Sequence, residues 1–141
     1  GGNRLTGDAF DAGHFYAPTL VTGVTDAMLI RREETFGPVA PVITYGDVDE
    51  VVAMANDTNY GLAGAVWTSD DAKAERVASG LRAGTVWINT PLLRDLRAPF
   101  GGFKDSGIGR DGPRQCAEFY TEEKATIFAR GKPPIRKLGS S

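Results

Sequence analysis

LAGAVWTSDDAKAERVASGLRAGTVWIN, running from Leu62 to Asn89, carries two strands and the helix between them. Leu62 to Thr68 is a short apolar run, and Gly84 to Asn89 contains Thr-Val-Trp-Ile. Both read as strands. Ser69-Asp70-Asp71 supplies a capping site. Ala74, Val77, Ala78 and Leu81 then recur on one helical face, and Gly80 and Gly84 bracket the exit. The same pattern lies upstream. Val39 to Tyr45 reads as a buried strand, and Asp47 opens a helix with Glu50 in capping-box relation. Val48, Val51, Val52 and Ala55 form that helix's apolar face. Strand, helix, strand, helix, strand in this order predicts an α/β fold with right-handed crossovers and a parallel sheet.

The flanks are less regular. His14 to Thr22 reads as a strand, with Pro18 restricting it to an edge or an irregular position. Gly112 to Phe119 predicts a short helix, Tyr120 to Ala129 a last strand, and Lys132 to Ser141 an extended tail. Three core strands and two helices leave faces that need cover from further chain or from a partner. The opening Gly1-Gly2-Asn3-Arg4 has mid-loop composition, so the chain is expected to be a piece of a longer protein.

Composition narrows the function classes. At 141 residues and 41% hydrophobic content, the chain is expected to be globular with a real core. A net charge of -2 gives no reason to expect nucleic acid or an anionic membrane as a partner. No apolar run reaches bilayer length, and with no basic and apolar leader pattern over its first residues a secretory signal is not expected. The single cysteine, Cys116, cannot form an internal disulfide, which fits a reducing, cytoplasmic setting. His14 is the only histidine, so neither a histidine metal cluster nor Ser-His catalysis is expected.

The densest stretch is Ala98-Pro-Phe-Gly-Gly-Phe-Lys-Asp-Ser-Gly-Ile-Gly-Arg-Asp-Gly112, with five glycines and one proline in fifteen residues. That composition excludes a helix or strand interior and points to a loop that shapes a site. From Pro99 to Arg110 it matches every named position of P-F-G-G-x-K-x-S-G-x-G-R, the C-terminal signature of the aldehyde dehydrogenase superfamily. Other segments extend the resemblance. Tyr16 to Leu20 is similar to Y-x-x-P-T-L, compressed by one residue. Glu33 to Val39 resembles E-E-x-F-G-P-V. Ala55-Asn56 through Tyr60-Gly61-Leu62 resembles A-N-x-x-x-Y-G-L, and Gly84 to Asn89 resembles G-x-V-x-I-N.

The resemblance implies part of a three-layer αβα catalytic domain over residues 1–119. A C-terminal oligomerisation strand and tail follow over 120–141. The implied parent enzyme oxidises an aldehyde to the acid with NAD or NADP, through a cysteine thiolate, in a homodimer or homotetramer. The nucleophilic cysteine, the general-base glutamate, the oxyanion asparagine and the dinucleotide-binding domain all precede this stretch in the family. The isolated chain is therefore expected to be inactive. A non-catalytic truncated paralogue acting as an oligomerisation or binding module is the alternative.

Site residues follow from the matched motifs. The resemblance implies that Glu34 bonds the nicotinamide ribose hydroxyls and that Phe36 packs at the nicotinamide end. A carboxylate accepting from two vicinal hydroxyls and an aromatic wall beside a planar ring are sound chemistry. Read without the family, Arg31-Arg32-Glu33-Glu34 is first of all a solvated charge run. Phe100 falls at an aromatic wall of the substrate tunnel, or is a core anchor for the loop. Lys104 and Arg110 are expected to tie the loop to its neighbours. Arg94 and Arg97 flank the expected tunnel mouth, where a guanidinium would bind a carboxylate. Each could instead pair with Asp95 or a partner subunit. Leu93-Arg94-Asp95-Leu96-Arg97 before the glycine loop resembles the hydroxymuconic-semialdehyde branch, above all 5-carboxymethyl-2-hydroxymuconate semialdehyde dehydrogenases of aromatic catabolism. Cys116 lies outside the nucleophile motif and reads as a structural thiol. Gly107-Ile108-Gly109-Arg110-Asp111-Gly112 spells a G-x-G-x-x-G that lacks the preceding strand a dinucleotide fingerprint needs.

Overall fold

Two aspartates set the helices. Asp47 is extended, and its side chain accepts from the Glu50 backbone N–H at 2.9 Å, opening α1 (Val48–Asn56). The Glu50 carboxylate reaches back to the Gly46 N–H at 2.5 Å, one residue before the position of a standard capping box. Asp70 repeats the device, accepting from the Lys73 N–H at 3.0 Å, and opens α2 (Asp71–Gly80). Each cap satisfies a donor that the first helical turn leaves free and places an acid at the positive end of the helix dipole.

The computed structural model describes residues 1–132 and Gly139. Its strands are β1 (Thr19–Val21), β2 (Val39–Pro41), β3 (Ala63–Val66) and β4 (Thr85–Ile88). A third helix, α3 (Pro113–Tyr120), begins on a proline at its first turn. β3 and β4 pair in parallel, from Ala63 opposite Thr85 to Val66 opposite Ile88, as expected of strands joined through α2. α2 packs on both strands and on α1.

Three expectations are corrected. The strands do not form one sheet: β1 pairs with β2, also in parallel, and β3 with β4, as two separate two-stranded sheets. The apolar pattern marks each strand, but hydrogen-bonded neighbours are a property of the assembled layer. Among the described residues, 121–132 hold no strand, and Tyr120 belongs to α3. A strand needs an edge to pair with, and these residues stand exposed with Ile127 and Phe128 bare. The expected core is also nearly absent. Ala74, 4% exposed, is the one buried apolar side chain among the described residues. Leu20, Trp67, Leu96 and Ile108 are open to solvent. The expected tail, apart from Lys132 and Gly139, lies outside the described residues.

Candidate functional site

Two distant segments converge on Gly61. Its carbonyl accepts from the Gly84 N–H at 3.0 Å and from the Phe103 N–H at 2.8 Å, while its own N–H donates to Ser106 Oγ at 3.0 Å. The start of β4 and the glycine loop are thereby locked to the exit of α1. Lys104 adds a second lock, donating from Nζ to the carbonyls of Asn56 at 2.9 Å and Thr58 at 2.8 Å. Arg110 holds the loop's own turn through Gly102 O at 2.7 Å and Gly109 O at 2.8 Å. Lys104 ties the loop to a neighbouring element as expected, whereas Arg110, expected to do the same, ties the loop only to itself. Two asparagines act as backbone surrogates. Asn56 bridges Gly80 O and the Arg82 N–H, each at 2.8 Å. Asn89 bridges Thr68 O at 2.8 Å and the Thr68 N–H at 2.9 Å, extending the β3–β4 ladder by one step.

The segment carrying Glu34 and Phe36 leaves a short 3-10 turn at Leu29–Arg31. The charge run is solvated except at its first residue. The Arg31 side chain is 7% exposed and donates from Nη2 to Met54 O at 3.0 Å, whereas Glu34 is exposed. Glu34 lines a polar cleft of about 540 Å³ with Arg32, Glu33 and the loop after α1. Its carboxylate takes part in no hydrogen bond or ion pair among the described residues, leaving both oxygens free to accept. Phe36 is 93% exposed and sits at φ 43°, a left-handed conformation that is costly for a bulky side chain. The free carboxylate and the bare aromatic ring stand two residues apart, and Phe36 does not line the cleft.

Arg94 and Phe100 share a second site. They line an apolar cavity of about 320 Å³ with Leu62, Trp87, Leu92 and Leu93. The Arg94 guanidinium lies 4.6 Å above the Phe100 ring, and its Nη2 stands 3.4 Å from Asp111 Oδ2, a loose contact. Phe100 is fixed by a two-way backbone bridge with Asp111, both bonds at 2.7 Å. Trp87 Nε1 donates to Leu93 O at 2.6 Å and holds the opposite wall.

A match to the aldehyde dehydrogenase family covers residues 1–126. The chain belongs to the aldehyde dehydrogenase family. It is 48% identical over 123 residues to the betaine aldehyde dehydrogenase of Brucella anthropi, covering 87% of this chain and 25% of that one. It is 46% identical over 113 residues to the 2-aminomuconic semialdehyde dehydrogenase of Danio rerio, covering 80% of this chain and 23% of the relative. Among solved structures, P. syringae AldA indole-3-acetaldehyde dehydrogenase, in complex with NAD+ and IAA, superposes with a TM-score of 0.80 at 47% identity. That superposition covers 89% of this chain and 25% of the other. The chain thus spans about a quarter of the length of the dehydrogenases it matches.

Within this dehydrogenase segment the two arginines part company. Arg97 grips Asp95 through Nε to Oδ1 at 3.0 Å and Nη2 to Oδ2 at 2.7 Å. That clasp holds the Asp95 carboxyl below the usual carboxylate range and raises Arg97. It persists from neutral pH downward and is released only as pH falls through the lowered Asp95 value. Arg97 does not line the apolar cavity. Cys116 lies on α3, with Sγ 3.4 Å from Asp111 Oδ1. Glu34 and Phe100 line different cavities. Sequence reading missed Trp87, Leu92 and Leu93 as cavity residues and Asp111 as the partner of Arg94 and Phe100, because nothing in the spacing links β4 to the loop that folds over it. No group of three or more His, Cys, Asp or Glu among the described residues could hold a metal, and no helix is long and apolar enough to cross a membrane.

Proposed function

We propose that this chain acts as the C-terminal quarter of an NAD(P)-dependent aldehyde dehydrogenase that oxidises a carboxylated, muconic-type semialdehyde to the acid. The complete enzyme is a cytoplasmic homo-oligomer, in which residues 120–129, which hold no strand in the single chain, pair as one across the subunit interface. Glu34 receives the ribose hydroxyls and Phe36 restrains the nicotinamide end. The dinucleotide, when bound, supplies the hydride acceptor. Phe100 walls the aldehyde's path, and Arg94 holds a substrate carboxylate at its mouth.

The observation carrying the substrate reading is the Arg94 guanidinium stacked over Phe100 at the rim of an apolar cavity, with only a 3.4 Å contact to Asp111. The relatives' names leave a cationic aldehyde and an anionic one in play. A guanidinium repels the first and binds the second. Arg97, already clasped by Asp95, has little to offer a substrate.

The test is the ratio of kcat/KM for a carboxylated aldehyde to that for a neutral one of equal length, in the complete enzyme. Arg94→Met should lower that ratio roughly 10- to 100-fold, the effect of losing one charge-assisted pair. Arg97→Met should change it less than about threefold. An unchanged ratio in Arg94→Met rejects the carboxylate reading. The 141-residue chain alone should form no NADH from any aldehyde, since the nucleophile and base of the family lie outside it. NADH formation by the purified chain, followed by absorbance, would refute that.

A further inference from the structure

We propose that Arg31 is a positioning residue for the cofactor segment, its buried guanidinium pinning Glu34 and Phe36 to the C-terminal end of α1. The inference rests on the cofactor reading of those two residues. Arg31 closes the 3-10 turn, three residues before Glu34. Its side chain is 7% exposed and reaches three groups, two at the end of α1 and one just before the 3-10 turn. Nη2 donates to Met54 O at 3.0 Å, in the last turn of α1. The same atom lies 3.9 Å from Asp57 Oδ2, on the residue that caps α1. Nε lies 3.3 Å from Asp26 Oδ1 without the alignment of a hydrogen bond.

A cation is favoured at a helix C-terminus, where unpaired carbonyls concentrate negative potential. α1 carries no basic residue in its last turn, so the charge arrives from elsewhere in the chain. Arg32 adds an outer contact to Asp57 Oδ2 at 3.1 Å. The segment beyond has few holds of its own. The Glu33 N–H bonds back to Leu29 O at 2.9 Å, and Phe36 sits in the left-handed region. Lys104 docks the glycine loop on the neighbouring carbonyls of Asn56 and Thr58. One helix end therefore seats both the cofactor segment and the loop that carries Phe100.

The test uses the complete enzyme and two readouts. Amide hydrogen exchange without cofactor reports the segment itself, and equilibrium NADH binding by fluorescence reports its consequence. Arg31→Met should speed exchange over residues 32–37, leave β4 unchanged and weaken NADH about 5- to 10-fold, with aldehyde KM little moved. Arg31→Lys keeps the charge but not the fork and should recover at least half of the loss on a logarithmic scale. Combined with Glu34→Gln, Arg31→Met should add less than its separate effect, because it acts through Glu34. Unchanged exchange over 32–37 overturns the proposal. Equal acceleration in β4 for both Arg31 variants also overturns it, since the residue would then be merely structural. If Glu34→Gln leaves NADH binding intact, the cofactor reading fails, while the exchange result still decides what Arg31 holds.

Discussion

Glu34→Gln is expected to raise the KM for the dinucleotide roughly 10- to 100-fold in the complete enzyme while leaving the aldehyde KM nearly unchanged. Hydrogen bonds to an ionised acceptor are roughly twice as strong as neutral ones, and two vicinal hydroxyls would lose that advantage together. The carboxylate is exposed and has no partner among the described residues, so its removal should not destabilise the fold. The substitution thus separates binding from folding. Steady-state kinetics with varied dinucleotide at saturating aldehyde gives the number. A wild-type dinucleotide KM would remove Glu34 from the cofactor site.

Gly84→Ala is expected to be the most damaging small substitution in the chain. A Cβ at Gly84 would overlap the carbonyl oxygen of Gly101 well inside van der Waals contact, with Leu62 O also close. Both neighbours are backbone, so no rotamer change relieves the clash. Either β4 shifts, breaking the 3.0 Å bond from the Gly84 N–H to Gly61 O, or the glycine loop lifts and takes Phe100 with it. We expect a loss of about 3–5 kcal/mol, at the upper end for overpacking because the obstacle is rigid. Gly109→Ala is the control, since nothing lies within 4 Å of its added carbon, and should cost under about 0.5 kcal/mol. Denaturant unfolding of the two variants beside wild type measures the difference. Equal midpoints for Gly84→Ala and wild type would mean that the close approach of β4 and the loop does not contribute.

The helices show how far local chemistry reaches. Asp47 and Asp70 lie directly before apolar residues at helical spacing, and each caps the helix it announces. β3 and β4 are equally legible, because a helix between two short apolar runs leaves parallel pairing as the natural outcome. The charge run at Arg31 to Glu34 was ambiguous for a physical reason. Four consecutive charges look alike in sequence, yet the fold buries the first and leaves the last bare. Whether Arg31 meets a helix end depends on α1, more than twenty residues away in sequence. The same holds for Arg94 and Arg97, which both lie within two residues of Asp95 yet take different partners.

By itself the sequence determined what is short-range or motif-borne: the caps, the helix faces, the parallel β3–β4 unit, the site-shaping loop and family membership. These depend on neighbouring residues and on patterns that one backbone can satisfy. Only the tertiary structure decided that β2 pairs with β1 and that residues 121–132 find no strand partner within the described chain. It alone joined Gly61, Gly84, Phe103 and Ser106 at one point, and only it separated a clasped Arg97 from an Arg94 held above Phe100. Those outcomes rest on which surfaces meet after long loops close, and loop closure leaves no periodic mark in the chain.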